Sequence, residues 1–263
     1  MNRMDIIFKE NIAKKRGSLV LYFPICDSIL EDKDVEWAGK YFDHGCDVLE
    51  IGLPYKDPCY DGPTVANSMK RAIANVDGDL DKVFARIKDI RDAYPNNILQ
   101  IITYYENVDF YGFEEFARKC GEAGVDGVLC ANLPLKKTPV FDSTLGKYNV
   151  YNCRFALYNM TDEQLADLKN NSKGYVFLQA VDGATGARNS VDPANKEHIK
   201  YLKDNNVTTP IFAGFGITTG EHVRKLMDYG ADGVIVGSNT ISHIIAGDAA
   251  EYIDSITANL IKH

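Results

Sequence analysis

The sequence predicts an α/β protein, a single (β/α)8 TIM barrel covering residues 1–263. Three observations predict it. Eight short apolar segments recur along the chain, several apolar at nearly every position, as strands buried on both faces of a parallel sheet are. Amphipathic segments with helical spacing lie between them. A recurring phrase, glycine stop, small residue, aspartate and then a new apolar run, marks three of the joints. Eight strands alternating with helices over about 250 residues match such a barrel in count and length. An open doubly wound sheet is the alternative that the same alternation allows.

The strand segments, in order, are 19–23, 48–53, 98–104, 127–131, 150–157, 175–180, 211–215 and 233–237. Helical spacing is clear over 34–42, where Val35, Ala38 and Phe42 share a side, and over 80–93, where Leu80, Val83, Phe84 and Ile87 do. It returns over 113–123 and 219–229, each followed by glycine, which suits the left-handed position after a helix. EFARKCGEAGVDG and HVRKLMDYGADG carry the joint phrase, and Cys46-Asp47 after Gly45 gives it a third time. The tail 239–263 reads as one amphipathic helical stretch that could close the ring. No linker or low-complexity segment interrupts the rhythm.

Composition narrows the function classes. The chain is 45% hydrophobic and 25% charged, with a net charge of −8 and no Lys/Arg-rich block. Nucleic-acid binding needs a basic face and is not expected. The N-terminal MNRMDIIFKENIAKKRG lacks the apolar run of a signal peptide, and no run is long enough to span a membrane, so a cytoplasmic protein is expected. The six cysteines form no CxxC pair and the five histidines do not cluster, so reduced structural cysteines and no metal are expected.

In such a barrel chemistry sits at the C-terminal strand ends. LEIGLPYKDPCYDGPT, residues 49–64, places Glu50 inside the second strand and Asp57 and Asp61 in the loop after it. A carboxylate among apolar residues is costly, and burial raises its pKa, which suits a group that gives and takes protons near neutral pH. The other reading of Glu50 is a structural partner for a buried Arg or Lys. Asp57, before proline, also reads as a turn element. Gly183-Ala184-Thr185-Gly186, Gly214-Phe215-Gly216 and Gly237-Ser238 follow the last three strands, where glycine lets a ligand approach backbone N–H groups and where barrels bind phosphate. Tyr22, Tyr104, Tyr105 and Phe177 could wall a pocket for a flat substrate or be core.

These residues together resemble the tryptophan synthase α chain family. The strand and loop LEIGLPYKDPCYDGPT resemble its signature E-[LI]-G-x-P followed by [FY]-S-D-P-x-A-D-G-P. TYYENVDFYGFEEF, GVDGVLCANLP, DGATGAR, AGFGI and GADGVIVGS resemble its later segments in order. The resemblance implies a (β/α)8 barrel that cleaves indole-3-glycerol phosphate to indole and glyceraldehyde 3-phosphate without cofactor or metal. It implies Glu50 as acid/base and Asp61 as the carboxylate at the indole N–H. Tyr22, Asp57, Tyr104 and Phe177 would bind substrate, and Gly183, Thr185, Gly186, Gly216, Gly237 and Ser238 its phosphate. It also implies a β chain as partner, meeting the loops after strands 2 and 3, with loops 2 and 6 closing over the substrate.

The sequence departs from the family pattern near the site. The first strand ends Tyr22-Phe23-Pro24-Ile25-Cys26-Asp27 instead of a Thr/Gly/Pro-containing turn. Lys56 stands for Ser, Tyr60 for Ala, Glu106-Asn107 for Asn-Pro, and Asn132 for Asp, while Asp182 adds a charge beside the loop 6 glycines. Lys56, Glu106 and Asn107 bear on the β-chain contact, and Lys56, Tyr60, Asn132 and Asp182 on the substrate. Two alternatives therefore stand beside the family reaction: a divergent stand-alone lyase for this or a related aromatic glycerol phosphate, and a non-catalytic barrel that binds a phosphorylated ligand or activates a partner.

Overall fold

The computed structural model describes residues 1–178, 191–214 and 216–261. In chain order its elements are α1 (Arg3–Ala13), β1 (Ser18–Phe23), α2 (Asp34–Asp43), β2 (Val48–Gly52), α3 (Pro63–Asn75), α4 (Leu80–Ala93), β3 (Ile98–Thr103), α5 (Tyr105–Tyr111), α6 (Phe113–Glu122) and β4 (Gly127–Cys130). There follow α7 (Thr138–Gly146), β5 (Tyr151–Ala156), α8 (Asp162–Asn171), β6 (Val176–Leu178), α9 (Ala194–Asp204), β7 (Ile211–Ala213), α10 (Gly220–Asp228), β8 (Gly233–Val236), α11 (Ser238–Ala246) and α12 (Ala249–Thr257). The strands pair in sequence order, all parallel, and β8 returns to β1 through Val20↔Ile235 and its neighbours. That closure removes the open-sheet alternative.

Two buried clusters follow from the alternation of the strands. Leu19, Leu21 and Phe23 of β1, and Leu49 and Ile51 of β2, face outward into the layer between sheet and helices. Val20, Val48, Ile98, Tyr175, Phe212 and Ile235 point inward and fill the lower barrel. Each fully buried aliphatic or aromatic side chain contributes about 1.5–3 kcal/mol of transfer free energy.

The repeated Gly-x-Asp phrase has a single structural purpose. Asp47, Asp126 and Asp232 each sit just before a strand and bond the strand before it at both polar groups of one residue. Their backbone N–H groups donate to Leu19, Leu99 and Ile211 carbonyls at 2.9, 2.8 and 2.7 Å. Their carboxylates accept the N–H groups of those same residues at 2.8, 2.9 and 3.1 Å. A strand start would otherwise leave that N–H without a partner. Arg16 holds Asp47, and Arg3 and Arg91 hold Asp126.

Three elements differ from expectation. The N-terminal segment is a helix, capped by the Asn2 side chain, and its Met4 and Phe8 plug the lower barrel against Gly127, Tyr175 and Phe212. DGPT is not only a turn: Pro63 opens α3, since its fixed φ and missing N–H fit a first helical position. The tail is two helices, broken where Gly247 adopts φ +83°.

Candidate functional site

Register assembles the site. Tyr22 of β1, Glu50 of β2 and Gln100 of β3 are consecutive partners across the ladders, so their side chains share one inward layer above the apolar floor. Glu50 is 2% exposed. Among the described residues no Arg or Lys pairs with it. Its neighbours are the Tyr175 hydroxyl, 3.4 Å from Oε1, and the Asp61 carboxylate. Burial, then the negative charge of Asp61, push the Glu50 carboxyl from its ordinary 4.5 up to about 8, against a smaller opposing effect of the Tyr175 hydrogen bond. The structural-partner reading of Glu50 finds no cation to serve among the described residues.

Gly52 ends β2 because Tyr22 lies on it: a Cβ there would stand 2.0 Å from the Tyr22 hydroxyl. The glycine of the E-I-G-L-P motif is therefore a space requirement of the pocket wall. The Tyr22 hydroxyl is held far above its ordinary pKa by burial and by the charges of Asp61, Glu50 and Asp27, so it stays a neutral donor.

Asp61 is half-buried on the loop between β2 and α3. Its Oδ2 accepts the Tyr104 hydroxyl at 2.7 Å, and its backbone N–H reaches the Pro58 carbonyl at 3.2 Å. Desolvation raises its pKa, and the Tyr104 hydrogen bond works the other way. Asp57 stands exposed on the same loop and does not line the recess.

The recess encloses about 590 Å³, solvent at its mouth included. It is lined by Tyr22, Glu50 and Asp61 on one side, Ile102 and Phe177 on another, and Gly214, Gly216, Ile217, Ile235, Gly237, Ser238 and Asn239 on the third. Two carboxyl groups and apolar walls thus face a glycine-rich end. Gly216 takes φ +72°, a left-handed conformation that favours glycine. Gly237 precedes the first turn of α11 with open space where a Cβ would be. The unpaired N–H groups of a helix start and the positive end of its dipole favour an anion there.

Of the residues singled out from sequence, Tyr22, Glu50, Asp61, Phe177, Gly216, Gly237 and Ser238 meet at this recess, and Tyr104 touches it through Asp61. Gly183, Thr185 and Gly186, with Asp182, lie outside the described residues. Sequence reasoning missed Tyr175, Gln100 and Asn239. Tyr175 donates to Gln100 Oε1 at 2.9 Å while reaching Glu50. A signal for Gln100 existed: it is a polar residue between the apolar pairs of ILQIIT, at the same offset from its strand start as Glu50.

A family model described as tryptophan synthase alpha chain matches residues 8–261. A relative of that name from Methanothermobacter thermautotrophicus is 35% identical over 93% of this chain and 89% of its own. One from Methanoregula boonei is 33% identical over 90% and 87%. The barrel also superposes on the crystal structure of tryptophan synthase subunit alpha from Legionella pneumophila with a TM-score of 0.88, covering 99% of this chain and 98% of that one at 24% identity, a likeness of fold.

Proposed function

The chain belongs to the tryptophan synthase alpha chain family, and on that premise we propose that Glu50 moves the protons and Asp61 balances the charge of its reaction. The enzyme is a carbon–carbon lyase that cleaves indole-3-glycerol phosphate to indole and glyceraldehyde 3-phosphate in tryptophan biosynthesis.

Breaking the bond between indole C3 and the glycerol carbon is a retro-aldol step. C3 must first gain a proton, which places positive charge at N1. The C–C electrons then return to the ring, and the hydroxyl on the leaving carbon gives up its proton as the aldehyde forms. A carboxyl with a pKa near 8 is neutral at pH 7, so Glu50 holds the proton that C3 needs. Once ionised, it is the base for the hydroxyl proton. Asp61 as carboxylate takes the indole N–H and stabilises the developing charge in a low-dielectric recess. Tyr104 fixes one of its oxygens. Ile102 and Phe177 flank the ring, and the α11 start with Gly216, Gly237 and Ser238 takes the phosphate. Gly183, Thr185 and Gly186 remain proposed phosphate ligands on sequence grounds. The observation that carries this reading is a buried Glu50, with no Arg or Lys paired to it among the described residues, facing Asp61 across one recess.

The test is direct. Purified protein given indole-3-glycerol phosphate should release indole and glyceraldehyde 3-phosphate in equal amounts, and Glu50→Gln should nearly abolish release while binding a phosphate-bearing analogue within a few fold. No release above background, with or without a β chain, would overturn the lyase reading in favour of a ligand-binding barrel. We further propose a β chain as a partner at the loops after β2 and β3, a cytoplasmic location, and residues 1–263 as one domain. Among the described residues, no helix is long and apolar enough to cross a membrane.

A further inference from the structure

The loop that carries Asp61 is tied to the end of β3 by contacts that go beyond the Tyr104–Asp61 hydrogen bond. The hub is Tyr104, 2% exposed. Its hydroxyl gives its hydrogen to Asp61 and accepts the backbone N–H of Tyr60 at 3.1 Å. Its ring is stacked by two others from the same loop. Tyr55, at the loop's start, lies 5.1 Å away with planes 28° apart, and Tyr60, near its end, lies 6.0 Å away at 20°. Half of Tyr60 remains in solvent at 53% exposure, so its ring sits on Tyr104 as a cover and not as core.

A second tie runs from α5. Asn107, 6% exposed, donates through Nδ2 to the Pro54 carbonyl at 3.1 Å and to Thr103 Oγ1 at 3.2 Å. The turn that presents both Tyr104 and Asn107 is itself braced from β4. Asn132 accepts the Tyr105 N–H at 2.6 Å and donates to the Glu106 carboxylate at 3.0 Å. Tyr60 and Asn107 occupy positions where the family pattern has Ala and Pro. Alanine has no ring to stack and proline no side-chain donor, so these ties belong to this chain.

We propose that Tyr60 and Asn107 are positioning residues that clasp the Asp61 loop onto the end of β3 before substrate arrives. The proposal rests on the reading of Asp61 as the charge partner of the indole N–H. Ordering a loop costs backbone entropy for each fixed residue. A loop clasped in the ligand-free enzyme has already met that cost, so less binding free energy is spent on ordering it and more is left for the transition state. Proton transfer and charge pairing both demand that Asp61 stand at a fixed separation from Glu50, and the clasp sets that separation through Tyr104.

The experiment measures loop order and turnover separately. Hydrogen–deuterium exchange of a peptide spanning residues 55–62 is followed in the full-length, ligand-free protein and in Tyr60→Ala, Asn107→Ala and Tyr60→Phe. The clasp predicts slow exchange in the native chain, faster by about tenfold in Tyr60→Ala, the scale of a lost aromatic stack. Asn107→Ala should also exchange faster, and Tyr60→Phe, which keeps both ring and N–H, as the native chain does. With unchanged thermal melting, kcat for indole release should fall in parallel for Tyr60→Ala and recover in Tyr60→Phe. Native exchange as fast as that of Tyr60→Ala would overturn the clasp, as would full turnover in Tyr60→Ala. A native protein that releases no indole but shows the predicted exchange pattern would sink the lyase reading and leave the clasp standing.

Discussion

Replacing Glu50 by Gln should make the protein more stable, and increasingly so as pH rises. The carboxyl titrates near 4.5 when unfolded and at about 8 in the barrel, where burial and the Asp61 charge oppose ionisation. Below about pH 4.5 both states hold the proton and Glu50 costs nothing. Between the two pKa values the folded state binds more protons than the unfolded one, so stability falls as pH rises through that window. Each unit is worth about 1.4 kcal/mol, which puts the cost at roughly 3 kcal/mol at pH 7 and roughly 5 kcal/mol above pH 8, as upper bounds. Glutamine keeps the shape and does not titrate. Urea unfolding of the native and Glu50→Gln proteins, at intervals from about pH 5 to about pH 9, gives the difference in unfolding free energy. That difference should climb steadily and level off near pH 8. In an Asp61→Asn background the climb should shrink, because one of the two causes has been removed. A difference that stays flat across the window would refute the account of Glu50, and with it the neutral acid on which the proposed proton transfer depends.

Three further perturbations have defined outcomes. Tyr175→Phe removes a hydrogen bond that holds the Glu50 pKa down. The alkaline limb of the pH profile for indole release should therefore move to higher pH, and a limb that moved lower would contradict the geometry. Arg91→Ala strips a buried partner, 2.7 Å away, from an Asp126 carboxylate that also caps Leu99. Thermal or urea unfolding should register a loss of about 3–5 kcal/mol, as for a broken buried ion pair, and a loss below 1 kcal/mol would show that Arg3 suffices alone. Gly52→Ala drives a methyl into Tyr22. Melting should drop by an amount in the overpacking range of about 1–3 kcal/mol, and adding Tyr22→Leu should restore most of it.

The eight strands were legible because a parallel sheet with helices outside demands nearly continuous apolar runs, and those runs end within a few residues of the observed strands. Glu50 and Asp61 were legible for the opposite reason, as acids where a strand and a stiff loop ought not to hold them without use. Helix α1 was not, because its apolar residues share a short segment with Arg3, Asp5, Lys9 and Glu10, and the i, i+4 pair Met4 and Phe8 shows its use only once a barrel floor needs filling. The start of α3 was hidden by Asp-Gly-Pro, which serves a turn and a helix start equally. Tyr175 could not be found from its own segment. It matters because β6 stands across the barrel from β2, a relation that sequence distance conceals. Tyr60 read from the sequence only as a departure from the family's Ala that bears on the substrate. Its stacking on Tyr104 depends on a fold in which loops 2 and 3 meet.

The barrel uses acids in two ways, and the partners around each acid decide which. Asp47 accepts from the Leu19 N–H, from Asn11 and from Arg16 through both oxygens. Asp126 accepts from the Leu99 N–H, Arg3 and Arg91. Such donors hold each carboxylate in place, so these acids at the strand starts join the barrel. Glu50 and Asp61 receive hydroxyl donors from Tyr175 and Tyr104, and Asp61 adds its charge to the burial of Glu50. A hydroxyl can yield to a substrate donor at little cost, and two carboxyls that share one recess push one of them toward its neutral form. Carboxyl side chains thus act as joints at one end of the strands and face the recess at the other. The sequence already separates them by position, since Asp47, Asp126 and Asp232 fall before their strands while Glu50 falls within its own.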